Sequence, residues 1–487
     1  MDASRRTGCL PNTRTDVLRF IVDWVNDPTS KQNILWLHGL AGSGKSSLST
    51  TIASMFRELG QLGAFLFFDR HVAESSDPAT VIRTLAHQLG ASIPEIGTAI
   101  GAVVARNSTI TISSLQHQFN RLIRDILAIP ELSSQTIVIV LDGLDECGTA
   151  SEREGLLMLL GQNFVDLPFT VRTIITSRTE IDIYNVFTSQ RHILAYELDT
   201  TSPTTSEDIL SYFRHRLSFI RIKNRHLGLG ADWPGEAVIH RLVQRASGLF
   251  IWAATALEFI NGHDPRKRVD VILNGDVACG AEAGLDALYG TALESAGRWD
   301  DEDFVADFRN ILGVILLARE PLSNDAIDAL LHMPEDRPSI HTTSLLGCIL
   351  QQGPTVRVLH PSFADFLTTK DRCRRDKWYF DRSTCHRRLA FLCLDRMDAT
   401  LRQNICAMSL ANDIAAETLP EEISYSCVFW IDHICGVEDD FLLVASQLRK
   451  FLFNHLLHWV EVMSILRRSR DTISGLDRLL HWISVGI

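Results

Sequence analysis

The chain lacks several features that mark specialised protein classes. It has no C-x-x-C pair and no His/Cys cluster with zinc spacing, although ten cysteines are scattered from Cys9 to Cys435. A zinc-binding or dithiol-redox module is therefore excluded, and the cysteines read as reduced thiols, several of them buried as small apolar residues. Basic residues are not in surplus: 47 Lys and Arg stand against 59 Asp and Glu, a formal net charge of −12. That balance gives no general pull towards nucleic acid or an anionic membrane. The short basic run Arg467–Arg470 reads as a solvated face rather than a nucleic-acid patch. Long apolar runs are missing too. The most apolar stretches, Leu249–Phe259 and Ile311–Ala318, fall short of the ~20 residues that a membrane span needs. Met1-Asp2-Ala3-Ser4-Arg5-Arg6 is followed by no apolar segment of the kind that makes a secretory signal. No period marks a solenoid or propeller. These absences predict a soluble, cytoplasmic, globular protein, and 487 residues allow about three domains.

What is present is a βαβ pattern. From Ile34 to about Leu198, short apolar runs alternate with longer amphipathic stretches, as in a parallel sheet covered by helices. Strands are expected at Ile34–Leu37, Ala64–Phe68, Thr136–Leu141, Arg172–Thr176 and Ile193–Leu198. One helix is expected from Lys45, with Leu48, Ile52, Met55, Phe56 and Leu59 on one face, and another from about Pro78, with Val81, Ile82, Leu85 and Leu89 on one face. Before the first strand, Leu18, Phe20, Ile21 and Trp24 suit one amphipathic helix. After residue 200 the pattern turns helical, with Ser206 expected as an N-cap ahead of Glu207 and Asp208. Residues 266–300, with Gly275, Gly280 and Gly284, suit a linker. A compact block follows: helices Phe304–Arg319 and Asn324–Leu331, a hairpin over Ile349–Leu359, and a short helix Pro361–Leu367. The expected organisation is a lead-in (1–32), an α/β core with a parallel sheet (33–200), a helical subdomain (201–300), the compact block (301–370) and a C-terminal helical region (371–487).

Gly39-Leu40-Ala41-Gly42-Ser43-Gly44-Lys45-Ser46 completes the pattern G-x-x-x-x-G-K-[ST]. Glycines let a backbone fold tightly and aim its N–H groups at phosphate oxygens, and the helix that follows turns its positive end to the anion. Lys45 is expected on the β- and γ-phosphates and the Ser46 hydroxyl on Mg²⁺, with Ser47 also expected among the nucleotide-binding residues. The flanks suit this: the apolar strand Ile34-Leu35-Trp36-Leu37 before, an amphipathic helix after. A second site element is Ile137-Val138-Ile139-Val140-Leu141, an aliphatic run suited to a strand buried on both faces. It ends in Asp142-Gly143-Leu144-Asp145-Glu146. Asp142 at such a strand end would hold Mg²⁺ beside the phosphate loop, and Asp145 or Glu146 would orient or deprotonate an attacking water. Ala64–Phe68 is expected to stand between the phosphate-loop strand and the acidic strand, an order that suits NTPases using an acidic residue to activate water. A third element, Arg172-Thr173-Ile174-Ile175-Thr176-Ser177-Arg178, ends at the same edge; Arg178 either senses γ-phosphate charge or is an ordinary surface arginine.

These three elements together resemble the NACHT branch of the STAND class of signalling NTPases. The small residue Gly143 after the aspartate, with the acidic pair Asp145-Glu146 two positions on, is the NACHT form of the motif, and Thr176-Ser177-Arg178 matches its sensor arginine. Cys9-Leu10-Pro11-Asn12-Thr13-Arg14 is similar to the segment preceding the phosphate loop in fungal and nephrocystin-like NACHT proteins. That likeness implies that Thr13 and Arg14 lie near the base or ribose. Ser206–Phe213 and Ala246-Ser247-Gly248-Leu249-Phe250-Ile251-Trp252-Ala253 resemble the helical subdomain after the core. Leu359-His360-Pro361-Ser362-Phe363-Ala364-Asp365-Phe366-Leu367 resembles the end of the winged-helix subdomain, and the likeness implies that His360 contacts the β-phosphate of ADP; otherwise it is a turn or core histidine. Asn404-Ile405-Cys406 and Phe429-Trp430-Ile431-Asp432-His433 resemble the helical segment before WD repeats in basidiomycete NACHT proteins.

The resemblance implies an ATP/ADP-dependent switch with Mg²⁺, slow hydrolysis as a reset, nucleotide-dependent self-association, and protein partners at the C-terminal helices, in NLR-like fungal self/non-self or programmed-death signalling. ATP over GTP rests on the resemblance alone. An effector domain before Cys9 and a repeat array at the end are not recognised, as in a truncated product, a fragment or a partner acting in trans. Two other classes stay open: a AAA-like remodeller turning over on a ring, and an interaction scaffold in which nucleotide only stabilises the fold.

Overall fold

The computed structural model describes residues 7–70, 72–107, 109–129, 135–262, 264–275, 280–373, 375–406, 419–438 and 441–486. The opening Met1–Arg6 and residues 276–279 of the expected linker lie outside them. The chain divides into two compact units, Met1–Leu285 and Asp286–Ile487.

The first unit is built on five strands: β1 (Ile34–His38), β2 (Leu62–Phe67), β3 (Ile137–Asp142), β4 (Val171–Ser177) and β5 (Ile193–Glu197). All neighbours pair in parallel, in the order β2-β3-β4-β1-β5. Side chains alternate across a strand, so each strand feeds two cores. Trp36, Ile137, Ile139, Leu141 and Ile175 pack on one face with residues of the helices Val81–Ser92, Ala150–Gln162 and Ile181–Thr188. Leu35, Leu37, Val138, Val140 and Ile174 pack on the other with the helices Thr15–Asn26 and Lys45–Glu58. A parallel sheet covered on both faces needs continuous apolar strands, which is why β3 and β4 are buried throughout.

The sheet order corrects one expectation. The strand between the phosphate-loop strand and the acidic strand is β4, not the segment Ala64–Phe68, which forms β2 at the sheet's edge. The order in the chain hid this, because a parallel crossover can skip a strand position.

The sheet gives way to the helices Pro203–Lys223, Glu236–Ala246, Phe250–Ile260 and Pro265–Asn274. The first has its N-cap four residues before the expected Ser206. Ser202 is its N-cap, accepting from the Thr205 N–H, and Pro203 takes the first helical position, where its missing N–H costs nothing. The expected linker over 266–300 is mostly helical, in Pro265–Asn274 and Ala281–Ala296. Leu59, expected on an apolar face, caps its helix and is exposed.

The second unit is nearly all helix. Glu302–Leu317 and Asn324–Leu331 match the expected pair, capped by Asp301 and Ser323 side chains. A further helix, Ser339–Leu345, precedes a short antiparallel hairpin of β6 (Leu350–Gln351) and β7 (Arg357–Val358), and Pro361–Thr368 follows. The helices Arg382–Thr400, Glu421–Cys435, Phe441–Ile465 and Ser469–Gly486 complete it. Among the described residues no helix is long and apolar enough to cross a membrane.

Candidate functional site

Three loops leave the carboxyl edges of β1, β3 and β4, and they carry most of the residues that the motifs singled out. After β1, Gly39–Gly44 turns into the helix starting at Lys45. Gly42 and Gly44 have φ of 79° and 93°, a region that side chains with a Cβ disfavour. Gly42 is also fixed by space, since a Cβ there would fall 1.9 Å from Ile251 Cγ2. Lys45 Nζ donates to the Gly39 and Leu40 carbonyls at 2.7 and 2.8 Å. Burial disfavours its charge and holds its pKa down to about 8, with the carboxylates of Asp145 and Asp142 pulling the other way.

After β3, the Asp142 carboxylate is buried. Its Oδ1 accepts from the Thr176 hydroxyl at 2.6 Å and from the Ser49 hydroxyl at 3.0 Å. Thr176 Oγ1 in turn accepts from the Gly143 N–H at 3.0 Å, so β4 braces the start of the acidic loop. Ser49 stands one helical turn beyond Lys45. Its bond to Asp142 ties the helix of the phosphate loop to the acidic strand end, across the intervening β4.

The two acids that follow have different surroundings. Asp145 is committed to Arg178: its Oδ1 accepts from the Arg178 N–H at 2.9 Å, and its Oδ2 lies 3.2 Å from Arg178 Nε. Glu146 keeps a little exposed surface yet is ringed by protein. Burial pushes its pKa up to about 7, opposed by Arg70 and reinforced by Asp145 and Asp69. Arg70 also offers Glu146 its main-chain N–H at 3.4 Å. Beneath the loop, buried Arg153 makes a two-pronged pair with Asp182 at 2.6 and 3.0 Å and donates to the carbonyls of Asp145 and Gly148, both at 3.2 Å.

The donor set fits a nucleoside phosphate with Mg²⁺. Ser43 Oγ is fully buried within the loop and finds no hydrogen-bond partner among the described residues, a condition that native proteins rarely leave unanswered. Buried acid, hydroxyls and a cation at one sheet edge are the oxygen ligands and counter-charge that such a pair needs.

The structure thus gathers Gly39–Lys45, Asp142, Asp145, Glu146 and Arg178. Ser46 is exposed and Ser47 half-buried on the first turn of the helix. Thr13 turns inward locally, its hydroxyl donating to the Leu10 carbonyl at 2.7 Å. Arg14 reaches the loop, donating to the Ser43 carbonyl at 2.7 Å. His360 belongs to the second unit, where it caps Pro361–Thr368: its Nδ1 accepts from the Ser362 N–H at 3.2 Å, and Tyr289 shares the Ser362 hydroxyl at 2.8 Å. Sequence reasoning missed Ser49, Thr176 as a brace, Arg153 and Asp182. Only Ser49 carried a signal, at Lys45 plus four; the others meet the site through the sheet order.

Residues 19–178 match the profile of the family Nephrocystin 3, N-terminal. Over 92% of its length the chain is 24% identical to the vegetative incompatibility protein HET-E-1 of Podospora anserina, and it spans 34% of that protein. Solved structures with a similar course include a signal transduction ATPase with numerous domains and a tetratricopeptide repeat sensor from Pyrococcus horikoshii. It is 11% identical with a TM-score of 0.44, over 96% of this chain and 57% of that one. A Walker-type ATPase of Pyrococcus abyssi is 13% identical with a TM-score of 0.34, over 75% and 99%. Likenesses this low say nothing of function. The phosphate loop, the braced aspartate and the acidic pair at one sheet edge, taken with the two sequence matches, support a P-loop NTPase similar to the NACHT branch of the STAND class.

Proposed function

We propose that this chain is a nucleotide-operated signalling switch that binds ADP and ATP with Mg²⁺ and hydrolyses ATP slowly as a reset. The observation that carries the reading is the Ser49–Asp142 hydrogen bond, which brings the helix of the phosphate loop and the acidic strand end into one site. Lys45, now on loop carbonyls, would exchange them for β- and γ-phosphate oxygens. Ser46 and Asp142 would hold the metal. Mg²⁺, when bound, neutralises charge between the phosphates. Glu146 Oε would take the proton of the attacking water, since Asp145 is engaged by Arg178, and a base near neutrality suits that task. Arg178 would read γ-phosphate charge through its guanidinium while its main-chain N–H stays on Asp145. By the resemblance His360, in the block 301–370, would contact ADP, and the segments 1–32, 33–200, 201–300, 301–370 and 371–487 would act as the parts of the switch. Moving such a switch from mostly closed to mostly open needs roughly 5 kcal/mol of differential binding. A relative named a vegetative incompatibility protein is the ground for placing the switch in fungal self/non-self signalling; a cytoplasmic location and partners at the C-terminal helices belong to the same proposal.

The test is binding of a fluorescent ADP to the Lys45→Ala variant, with sizing of the wild-type chain in ADP, ATP and a non-hydrolysable analogue. Loss of binding and a nucleotide-dependent change in assembly are expected. Unchanged affinity would refute the site. Constant size would leave a scaffold, and rapid steady turnover on a ring would favour a remodeller.

A further inference from the structure

We propose that Arg14 is a positioning residue that fastens the phosphate loop to the helices following the sheet and so limits how fast a nucleoside di- or triphosphate leaves; this rests on the nucleotide reading above. Arg14 sits in a left-handed turn, φ 57°, at the head of the Thr15–Asn26 helix, and is only 7% exposed. Its contacts run to three separate segments of the same unit. Nη2 donates to the Ser43 carbonyl at 2.7 Å, and Nη1 donates to Thr205 Oγ1 at 2.9 Å. Its main-chain N–H donates to Asp208 Oδ2 at 3.1 Å, and its guanidinium lies 4.9 Å from the centre of the Phe250 ring.

Thr205 is a rigid anchor. Its hydroxyl donates to the Asp199 carbonyl at 2.9 Å and accepts from the Ser202 hydroxyl at 3.0 Å. Asp208 lies on the same helix, Pro203–Lys223. A second tie runs independently to the same loop: the Ile251 N–H, at the start of Phe250–Ile260, donates to the Gly42 carbonyl at 3.1 Å. That approach depends on Gly248, φ 79°, where a Cβ would fall 1.8 Å from the Thr200 carbonyl oxygen. Two consecutive loop carbonyls are therefore held by groups outside the loop.

The consequence follows from peptide geometry. In a planar trans peptide the C=O and N–H point in opposite directions. Arg14, by holding the Ser43 carbonyl, fixes the Ser43–Gly44 plane and aims the Gly44 N–H the other way, as a donor for an anion. The resemblance implied that Arg14 contacts base or ribose. The structure instead spends two of its guanidinium nitrogens on protein oxygens in a planar fork that lysine cannot reproduce. Releasing the fork frees the loop carbonyl, and with it the amide that an anion needs, so loop opening and separation from the following helices become one event.

The experiment uses the full chain with Arg14→Gln, Arg14→Lys and Thr205→Val. It measures the dissociation rate of a fluorescent ADP after rapid mixing, its association rate, thermal unfolding, and amide exchange at Gly44 and Ile251 without nucleotide. Arg14→Gln should speed release about tenfold, the worth of a hydrogen bond from a charged group, with association within about twofold. Arg14→Lys should not rescue it. Thr205→Val, which keeps Arg14 but removes its anchor, should speed release about threefold. Exchange at Gly44 and Ile251 should quicken in all three variants. A lower unfolding temperature with wild-type release and exchange would reduce Arg14 to a stabilising residue and overturn the proposal, as would full rescue by lysine. If Arg14→Gln does not fold, Thr205→Val decides by the same two readouts. If Lys45→Ala binds ADP normally, the nucleotide reading fails; if Lys45→Ala fails to bind while the Arg14 and Thr205 variants release normally, only the present proposal falls.

Discussion

In Met1–Leu285 a cluster of ionisable side chains sits enclosed along one sheet edge, whereas in Asp286–Ile487 a buried group of them closes on itself between two helices. At the sheet edge, burial brings Lys45 to about 8 and Glu146 to about 7, so both can change charge near neutrality. In the second unit, His386 Nδ1 lies 3.1 Å from His433 Nδ1, His433 Nε2 lies 2.7 Å from the Tyr425 hydroxyl, and that hydroxyl accepts from the Arg319 N–H. One proton arrangement serves the whole chain of bonds: Arg319 N–H to Tyr425, Tyr425 O–H to His433 Nε2, and His433 Nδ1–H to His386. Burial then lowers the His386 pKa to about 4, aided by Arg319 and Arg382 and opposed by Asp432, and drives that of His433 down as well. Similar degrees of burial thus leave one set of groups poised and lock the other in a single form. The difference is whether every donor finds an acceptor inside the protein.

The largest expected effect breaks the poised side. Glu146→Gln should lower single-turnover ATP hydrolysis by on the order of a hundredfold or more, the usual worth of a general base, while ADP affinity stays within about twofold. The acid limb near pH 7 in the wild-type rate profile should vanish with it. An unchanged rate would move the base to Asp145 or to a group outside this loop.

Breaking the locked side should instead act on stability alone. His433→Ala leaves Tyr425 and His386 without their shared partner inside a packed core, so unfolding free energy should fall by about 3 kcal/mol, read by denaturant titration. ADP binding to the folded fraction should not change. A variant as stable as wild type would show that the relay is incidental.

The two sides should also respond to pH with opposite signs. Glu146 has a folded-state pKa raised to about 7, so its stabilisation is full below its ordinary carboxyl range and is lost as pH rises towards 7. His386 has a pKa lowered to about 4, so its contribution is full above the ordinary imidazole range and is lost as pH falls towards 4. Each is worth on the order of 3 kcal/mol. Glu146→Gln should therefore gain stability over wild type at pH 8 and not at pH 4, as followed by calorimetry. Equal gains at both values would contradict the assignment.

How far the sequence led also divides along this line. All five strands and the phosphate loop follow from local patterns: apolar runs, glycines at fixed offsets, a helix with one apolar face. Helix starts were less legible where two polar residues compete, as with Ser202 and Ser206. The sheet order was not legible, because parallel strands are joined over long crossovers and the chain order says nothing of which pairs meet. The same blindness hid Thr176 and Arg153, whose partners lie 34 and 29 residues away at Asp142 and Asp182. It also hid the role of Arg14, 191 residues from Thr205. The histidine relay spans two helices, and no spacing rule joins His386 to His433.

The smallest effect tests the bond on which the site assembly rests. Ser49 is fully buried and gives Asp142 its weaker hydroxyl contact, at 3.0 Å against 2.6 Å from Thr176. Ser49→Ala removes one donor but leaves Asp142 braced by Thr176, so the carboxylate keeps its place while losing about 1 kcal/mol of hydrogen bonding. The Mg²⁺ concentration for half-maximal ATP binding should then rise about threefold, whereas ADP affinity in a metal chelator should hold steady. Thr176→Val should shift the metal requirement further, because Thr176 also receives the Gly143 N–H and its loss frees the start of the acidic loop. If both substitutions weakened metal-free ADP binding equally, Asp142 would be acting on the shape of the phosphate loop rather than on the metal.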